Sequence, residues 1–288
     1  MAIAPSTTLE QTITIGTLEW FYRESVPEKP GDRPPVILLH GLPAQSYSWR
    51  KVLPELSAQG FRAIAPDWIG MGFSAMPDKR EFDYTPDTYV SAFEEFLQAL
   101  DLSKFSLVVQ GFLGSVGLQY AFRHPEQIER LAVLNTPIST TAKLPWKMKQ
   151  LGIPLVGEML TQDPLLVDRT LEGGGPYVVD DADLDVYRRP FLKTSDTGRA
   201  LFVAVRNLQL ITALAEIETG FSKWNKPTLF AWGISDPWLP VALAEKVAGS
   251  LPDADLVKLE EVGHYAQEDW PEKVNEALIP FLRRQPLV

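Results

Sequence analysis

The 288-residue sequence contains no cysteine. Disulfides, thiolate nucleophiles and Cys-ligated metals are excluded together, and the chain reports nothing about the redox state of its compartment. Histidine occurs three times, too few for a His-rich metal site, so no metal and no cofactor are expected. Cations are in deficit: 27 Lys and Arg stand against 37 Asp and Glu, a formal charge of −10. A surface of that sign repels phosphate backbones, which removes nucleic acid from the expected partners. No run approaches the roughly 18 apolar residues of a membrane span. The opening Met1-Ala2-Ile3-Ala4-Pro5-Ser6 shows no basic segment followed by an apolar one, and a cytoplasmic location is expected.

What is present is the profile of a folded chain, with 45% hydrophobic and 22% charged residues and enough apolar side chain for a large core. Thr12 to Ile15 and Leu18 to Ser25, rich in Thr, Ile and aromatics and separated by Gly16-Thr17, predict an opening antiparallel hairpin. Val36-Ile37-Leu38-Leu39 is a continuous apolar run, the mark of a strand buried on both faces of a parallel sheet. Ala63 to Ala65, Phe105 to Val109, Leu131 to Leu134, Thr228 to Trp232 and Asp255 to Leu259 repeat it, which with the hairpin makes an eight-stranded, mostly parallel sheet. Between them, Tyr89, Phe93, Phe96, Leu97 and Leu100 are spaced to share one helical face, as are Val274, Ala277, Leu278, Phe281 and Leu282. Alternating strands and helices place ligand chemistry at the carboxyl ends of the strands. One long interruption, between Leu134 and Thr228, carries Gly173-Gly174-Gly175-Pro176 and helical patterning, and reads as an inserted subdomain. The expected division is a core of residues 1–136 and 222–288 and a helical cap of residues 137–221.

Three loops that follow predicted strands carry candidate chemistry. In His40-Gly41-Leu42-Pro43 the glycine allows a sharp turn that can present amide N–H groups to a developing oxyanion. Trp232-Gly233-Ile234-Ser235-Asp236-Pro237 sets a carboxylate just past a strand, and Gly263-His264-Tyr265 sets an imidazole past the last one. An acid and a histidine at adjacent strand ends can hydrogen-bond, the acid fixing the tautomer and the free nitrogen serving as general base.

These loops, with Ser46-Tyr47-Ser48-Trp49-Arg50, Pro66-Asp67-Trp68-Ile69-Gly70-Met71-Gly72-Phe73-Ser74, Trp238 and Gln267-Glu268-Asp269, resemble the α/β-hydrolase family, and within it the branch of haloalkane dehalogenases and epoxide hydrolases. The likeness runs over nearly the whole chain. It implies an α/β-hydrolase fold with a helical cap, Asp236 as triad acid, His264 as triad base and the Leu42 amide as an oxyanion donor. The family's nucleophile sits on a strained strand-to-helix turn. Here Phe105 to Val109 runs into Gln110-Gly111-Phe112-Leu113-Gly114, so Gly111 stands where the nucleophile belongs and has no side chain to attack with. The Phe112 amide is a second oxyanion donor. Leu42 stands where dehalogenases resemble one another in carrying Asn, and Phe112 where they carry Trp; dehalogenation is not expected. Gly175-Pro176-Tyr177 and Tyr187-Arg188-Arg189-Pro190-Phe191 also look like a set of hydrolase-like proteins of cyanobacteria and chloroplasts with Gln-Gly at this turn, which implies a native glycine and a photosynthetic host.

Ser115, in Leu113-Gly114-Ser115-Val116-Gly117, loosely matches G-x-S-x-G without its leading glycine; a place in the first turns of the following helix is the favoured reading. His40, Gly41, Gln110, Trp146, Tyr177, Tyr187 and Trp238 complete the pocket candidates. His40 reads as a support of the oxyanion loop, Asp67 as a brace of its own Gly-rich loop, and His124 as a solvated helix end. By the same resemblance the cap tyrosines Tyr177 and Tyr187 could protonate a leaving alkoxide as in epoxide hydrolases, with packing as the default. Residues 143–156 carry Lys143, Lys147 and Lys149 and no acid, interleaved with Leu144, Trp146, Met148, Leu151, Ile153 and Leu155. A weak contact with an anionic membrane surface is one reading of this stretch; a lid whose apolar side lines the pocket is preferred.

Two functional readings follow. In the first, slightly preferred because the dyad and the oxyanion turn remain, His264 and Asp236 act on a small apolar molecule without a covalent intermediate, the missing side chain at Gly111 making room. Hydrolase-fold lyases and cofactor-free oxygenases are similar in working without an acyl-enzyme. In the second, the chain is a pseudoenzyme that binds a hydrophobic ligand or a protein partner, a state the N-myc downstream-regulated family resembles. An esterase using Ser115 is a third, minor reading. The oligomeric state is not legible.

Overall fold

A computed structural model describes residues 7–29 and 31–284. Eight strands form one sheet: β1 (Thr8–Ile15), β2 (Leu18–Ser25), β3 (Val36–Leu39), β4 (Ala63–Pro66), β5 (Phe105–Gln110), β6 (Ile128–Leu134), β7 (Thr228–Gly233) and β8 (Ala254–Leu259). Their spatial order is β1-β2-β4-β3-β5-β6-β7-β8. β1 and β2 pair antiparallel around Gly16, whose φ of 59° suits glycine, and β2 pairs antiparallel with β4. All remaining pairs are parallel, so the carboxyl ends of β3 to β8 open on one edge. β1 begins four residues before the expected hairpin, because Thr8 and Glu10 reach across to Ser25 and Arg23 and extend the pairing with polar contacts that apolar patterning does not reveal.

The helices are α1 (Leu53–Ala58), α2 (Pro86–Ala99), α3 (Gly114–Arg123), α4 (Trp146–Gln150), α5 (Val156–Leu160), α6 (Leu165–Glu172), α7 (Asp181–Lys193), α8 (Asp196–Arg206), α9 (Leu210–Phe221), α10 (Ala242–Ala248), α11 (Ala266–Asp269) and α12 (Pro271–Arg283). Successive strand residues point to opposite faces. Ile37, Leu39, Leu107 and Val109 pack with Phe93, Phe96 and Val116 of α2 and α3, whereas Val36, Leu38 and Val108 pack with Leu53, Leu56, Val274 and Leu278 of α1 and α12. This two-sided burial is why the central strands read as unbroken apolar runs. Among the described residues no single helix is long and apolar enough to cross a membrane.

The insertion between β6 and β7 is helical throughout, as expected, but its parts differ. α9 lies on α3, where Glu216 accepts hydrogen bonds from Arg123 Nε and Gln119 Nε2, both at 2.7 Å, and its Phe221 packs on Phe122 and Phe230. α9 therefore belongs to the helix layer of the sheet, and the expected cap boundary at 221 moves to the start of that helix. The rest stands over the strand ends. Val167 and Leu171 of α6 and Leu184 and Tyr187 of α7 form a cluster with Ala44 and Tyr265 of the core. A partly buried polar clasp reinforces it: Arg50 donates to Glu268 at 2.8 and 2.6 Å and pairs with Asp183 of α7, Tyr47 donates to Asp183 at 2.7 Å, and Tyr187 donates to Glu268 at 2.6 Å.

Candidate active site

Asp236 follows β7 and His264 follows β8, and the two strands are neighbours, so the loops meet. His264 Nδ1 lies 2.8 Å from Asp236 Oδ2, with both side chains fully buried. A carboxylate only accepts, so Nδ1 donates in this bond, and in the neutral imidazole Nε2 then presents its lone pair. The acid is held by three further donors: Asn135 Nδ2 at 2.8 Å on Oδ2, and the amides of Trp238 and Leu239 at 2.8 and 3.1 Å on Oδ1. Asn135, at the carboxyl end of β6, also exchanges bonds with both Gly233 N–H and Gly233 C=O, tying the β6 and β7 loops together. The imidazole sits among three rings, with centroid distances of 4.7 Å to Trp238, 4.9 Å to Tyr265 and 5.4 Å to the nearly parallel Phe112. Its Nε2 has no hydrogen-bond partner among the described residues.

That nitrogen faces the β5 turn. Gly111 has a φ of 71°, the left-handed conformation of a strained strand-to-helix turn. A Cβ at Gly111 would lie 3.4 Å from His264 Nε2 and 2.9 Å from Gly41 Cα; one at Gly41 would lie 2.8 Å from Gly111 Cα. The room expected at Gly111 is therefore not open. Glycine against glycine lets the two backbones close on each other, and the ring of His264 covers the remainder.

Gln110 holds this arrangement. Its Oε1 accepts from Gly41 N–H at 3.2 Å and from Gln267 Nε2 at 3.4 Å, and its Nε2 donates to the His264 carbonyl at 2.8 Å. One side chain at the end of the central strand thus spans the loops after β3, β5 and β8. Tyr265 adds a second tie by donating to the Leu42 carbonyl at 2.7 Å, and burial pushes its hydroxyl far above the ordinary range, so it stays a donor. The Leu42 and Phe112 amides donate to no acceptor among the described residues, which leaves both available to an oxyanion. From the cap, the Gly174 carbonyl accepts from His264 N–H at 2.7 Å. Asp269 accepts from Gly263 N–H at 2.6 Å, and burial raises its carboxyl to about 6.

His40 and Asp67 are bonded to the loops after β3 and β4. His40 Nδ1 donates to Gly41 C=O at 2.9 Å and Nε2 accepts from Trp68 N–H at 3.1 Å; burial lowers its pKa, so the ring is neutral. Asp67 accepts from Ser46 N–H at 2.6 Å and Phe73 N–H at 2.8 Å. His124 is a partly exposed helix end stacked on Tyr120. Four candidates lie elsewhere or are occupied. Ser115 sits in the first turn of α3 and donates to the Phe112 carbonyl at 2.7 Å. Trp146 is 64% exposed on the outer side of the cap, because α4 turns Met148 inward and Trp146 outward. Tyr177 packs edge-on against Trp270, and the Tyr187 hydroxyl is committed to Glu268. Asn135, Gln267 and Tyr265 escaped the sequence reading of the site. Tyr265 and Gln267 stood inside the quoted motifs without being given a role, and Asn135 offered a signal as the polar residue ending the apolar run Leu131 to Leu134.

Residues 34–176 match the family model described as the alpha/beta hydrolase fold. A haloalkane dehalogenase of Psychrobacter cryohalolentis is 30% identical over 272 residues, covering 90% of this chain and 86% of that protein. A cis-3-alkyl-4-alkyloxetan-2-one decarboxylase of Xanthomonas campestris is 27% identical over 282 residues, covering 90% of this chain and 92% of that one. Among solved structures, a loop variant of a haloalkane dehalogenase from Bradyrhizobium elkanii superposes with a TM-score of 0.84 at 24% identity, covering 96% of each chain, which is a likeness of fold.

Proposed function

Because the chain belongs to the α/β-hydrolase superfamily, we propose that it is an enzyme of that fold working without a covalent nucleophile on a small, largely apolar molecule held between the cap and the strand ends. His264 Nε2 takes a proton from water or from the substrate itself. Asp236 and the faces of Phe112 and Trp238 stabilise the imidazolium, the Leu42 and Phe112 amides hold the negative charge on the substrate, and the proton returns to the product. The observation that carries this reading is His264 Nε2: a buried ring nitrogen without a partner costs about 1–3 kcal/mol, yet Asp236, itself fixed by three further donors, and three rings hold the imidazole in that position. Dehalogenation is not part of the proposal, since Gly111 offers no carboxylate to displace a halide. The glycine is taken as native, in keeping with the Gln-Gly likeness to cyanobacterial and chloroplast proteins.

One observation favours the second reading, a pseudoenzyme that binds an apolar ligand. His264 is fully buried, and the Gly41–Gly111 contact closes the space an attacking group would use. Turnover of p-nitrophenyl esters, epoxides and haloalkanes by the wild type and by His264→Ala decides between them. Chemistry requires that a substrate be turned over, that the substitution lower the rate by about 10²-fold or more, and that quenched reactions show no covalent adduct by mass spectrometry. Equal rates in both proteins, or an adduct, would overturn it; two inert proteins that retain a small molecule in native mass spectrometry would support the pseudoenzyme.

A further inference from the structure

The outer side of the cap carries an open groove of about 690 Å³, formed where residues 142–153 meet residues 205–211. Its lining combines two kinds of side chain. Lys143, Lys149 and Arg206 supply cations, and none of them has an ion-pair partner among the described residues. Trp146 and Ile211 supply apolar surface, and they project from the molecule, being 64% and 83% exposed. The two segments contain no Asp or Glu at all, in a chain whose acids outnumber its bases by ten. Just beyond the groove, Leu155 and Met159 are also largely exposed, and Leu155 holds an unusual φ of 68°.

We propose that this groove is a membrane-contact surface, on which the protein rests against a bilayer carrying anionic lipid. Charge complementarity selects the partner, because local cations in an otherwise acidic protein are attracted to an anionic leaflet while the rest of the surface is repelled. The protruding apolar side chains select a bilayer over an acidic peptide. Trp146 has the amphipathic ring that favours the headgroup level, and Ile211 can enter the acyl boundary, whereas neither gains from a fully hydrated polar partner. A second copy of the chain fits poorly, since a two-fold contact would set Lys143, Lys149 and Arg206 against their own copies. Sequence alone shows the lysines of 143–156; only the fold adds Arg206 and Ile211 to the same groove. The inference does not depend on the chemistry at His264.

The test is co-sedimentation of the full chain with phosphatidylcholine vesicles and with phosphatidylcholine vesicles containing phosphatidylglycerol. Binding is expected to the second and to fall as salt is added. Neutralising Lys143 and Lys149 to Ala lowers the partition coefficient about fivefold per cation removed, and Trp146→Ala lowers it further, while Lys104→Glu, beside the opposite end of the sheet, changes nothing at this surface. All these side chains are exposed, so unchanged circular dichroism confirms that folding is not the cause. Failure to bind phosphatidylglycerol vesicles, or binding that survives the lysine substitutions, overturns the proposal. Self-association that Trp146→Ala abolishes, without vesicle binding, overturns it in favour of a second copy.

Discussion

Replacing Gly111 by alanine tests whether the β5 turn is a vacated nucleophile site or a closed one. If it were vacated, a methyl group would enter at little cost. In the structure the new Cβ would meet Gly41 Cα at 2.9 Å, a backbone atom that cannot swing aside, and would sit 3.4 Å from His264 Nε2. A non-glycine residue at a φ of 71° costs about 1–2 kcal/mol, and forcing a methyl into a packed site costs about 1–3 kcal/mol more. The sum is roughly 2–5 kcal/mol, equivalent to a fall in Tm of about 5–15 °C for a chain of this size. Thermal unfolding followed by circular dichroism at neutral pH measures it. A Tm within about 1 °C of wild type would refute the close packing of the two glycines. So would a Gly111→Asp variant that folds normally and hydrolyses a haloalkane, because that result requires the space the structure denies.

Asp269 makes stability depend on pH. Burial holds its carboxyl at about 6 in the fold against an ordinary value of 3.8, so the native state binds the proton more tightly than the unfolded chain. The stabilisation from this group is complete below pH 3.8 and is lost as pH rises through about 6, a difference of about 3 kcal/mol; denaturant titrations should show this segment of the pH profile flattened in Asp269→Asn, and an unchanged profile would contradict the burial. Tyr187→Phe removes the hydrogen bond to Glu268 and should lower stability by about 1.5–3 kcal/mol while leaving turnover of any substrate unaltered; a selective loss of turnover with stability intact would make Tyr187 a proton donor instead of part of the clasp.

The fold was legible because its signals are local and repeated. Val36 to Leu39 and Phe105 to Val109 alternate between the two helical layers with only two-residue periodicity to obey, and both faces demand apolar side chains. The meeting of Asp236 and His264 was legible for a related reason: each stands a few residues past such a strand, and parallel neighbours bring their ends together. The cap was not legible in the same way. Trp146 and Met148 lie two residues apart on one short helix, yet one faces solvent and the other the interior, and nothing in a five-residue helix specifies that choice. The extent of the cap also escaped, since α9 carries the same helical pattern whether it covers the strand ends or lies on α3.

By itself the sequence determined the parallel sheet, the glycine at position 111 after β5, and the placing of Asp236 and His264 just past neighbouring strands, because each depends on residue identity and on short-range periodicity. Only the tertiary structure decided that Gln110 joins three loops, that Asn135 steadies the acid, that Ser115 is bound to its own turn, and that Gly41 and Gly111 close on each other. Apart from the Ser115 bond, which reaches back only three residues, those outcomes join segments 69 to 154 residues apart in the chain, and such distances arise from how layers pack, which no local pattern encodes.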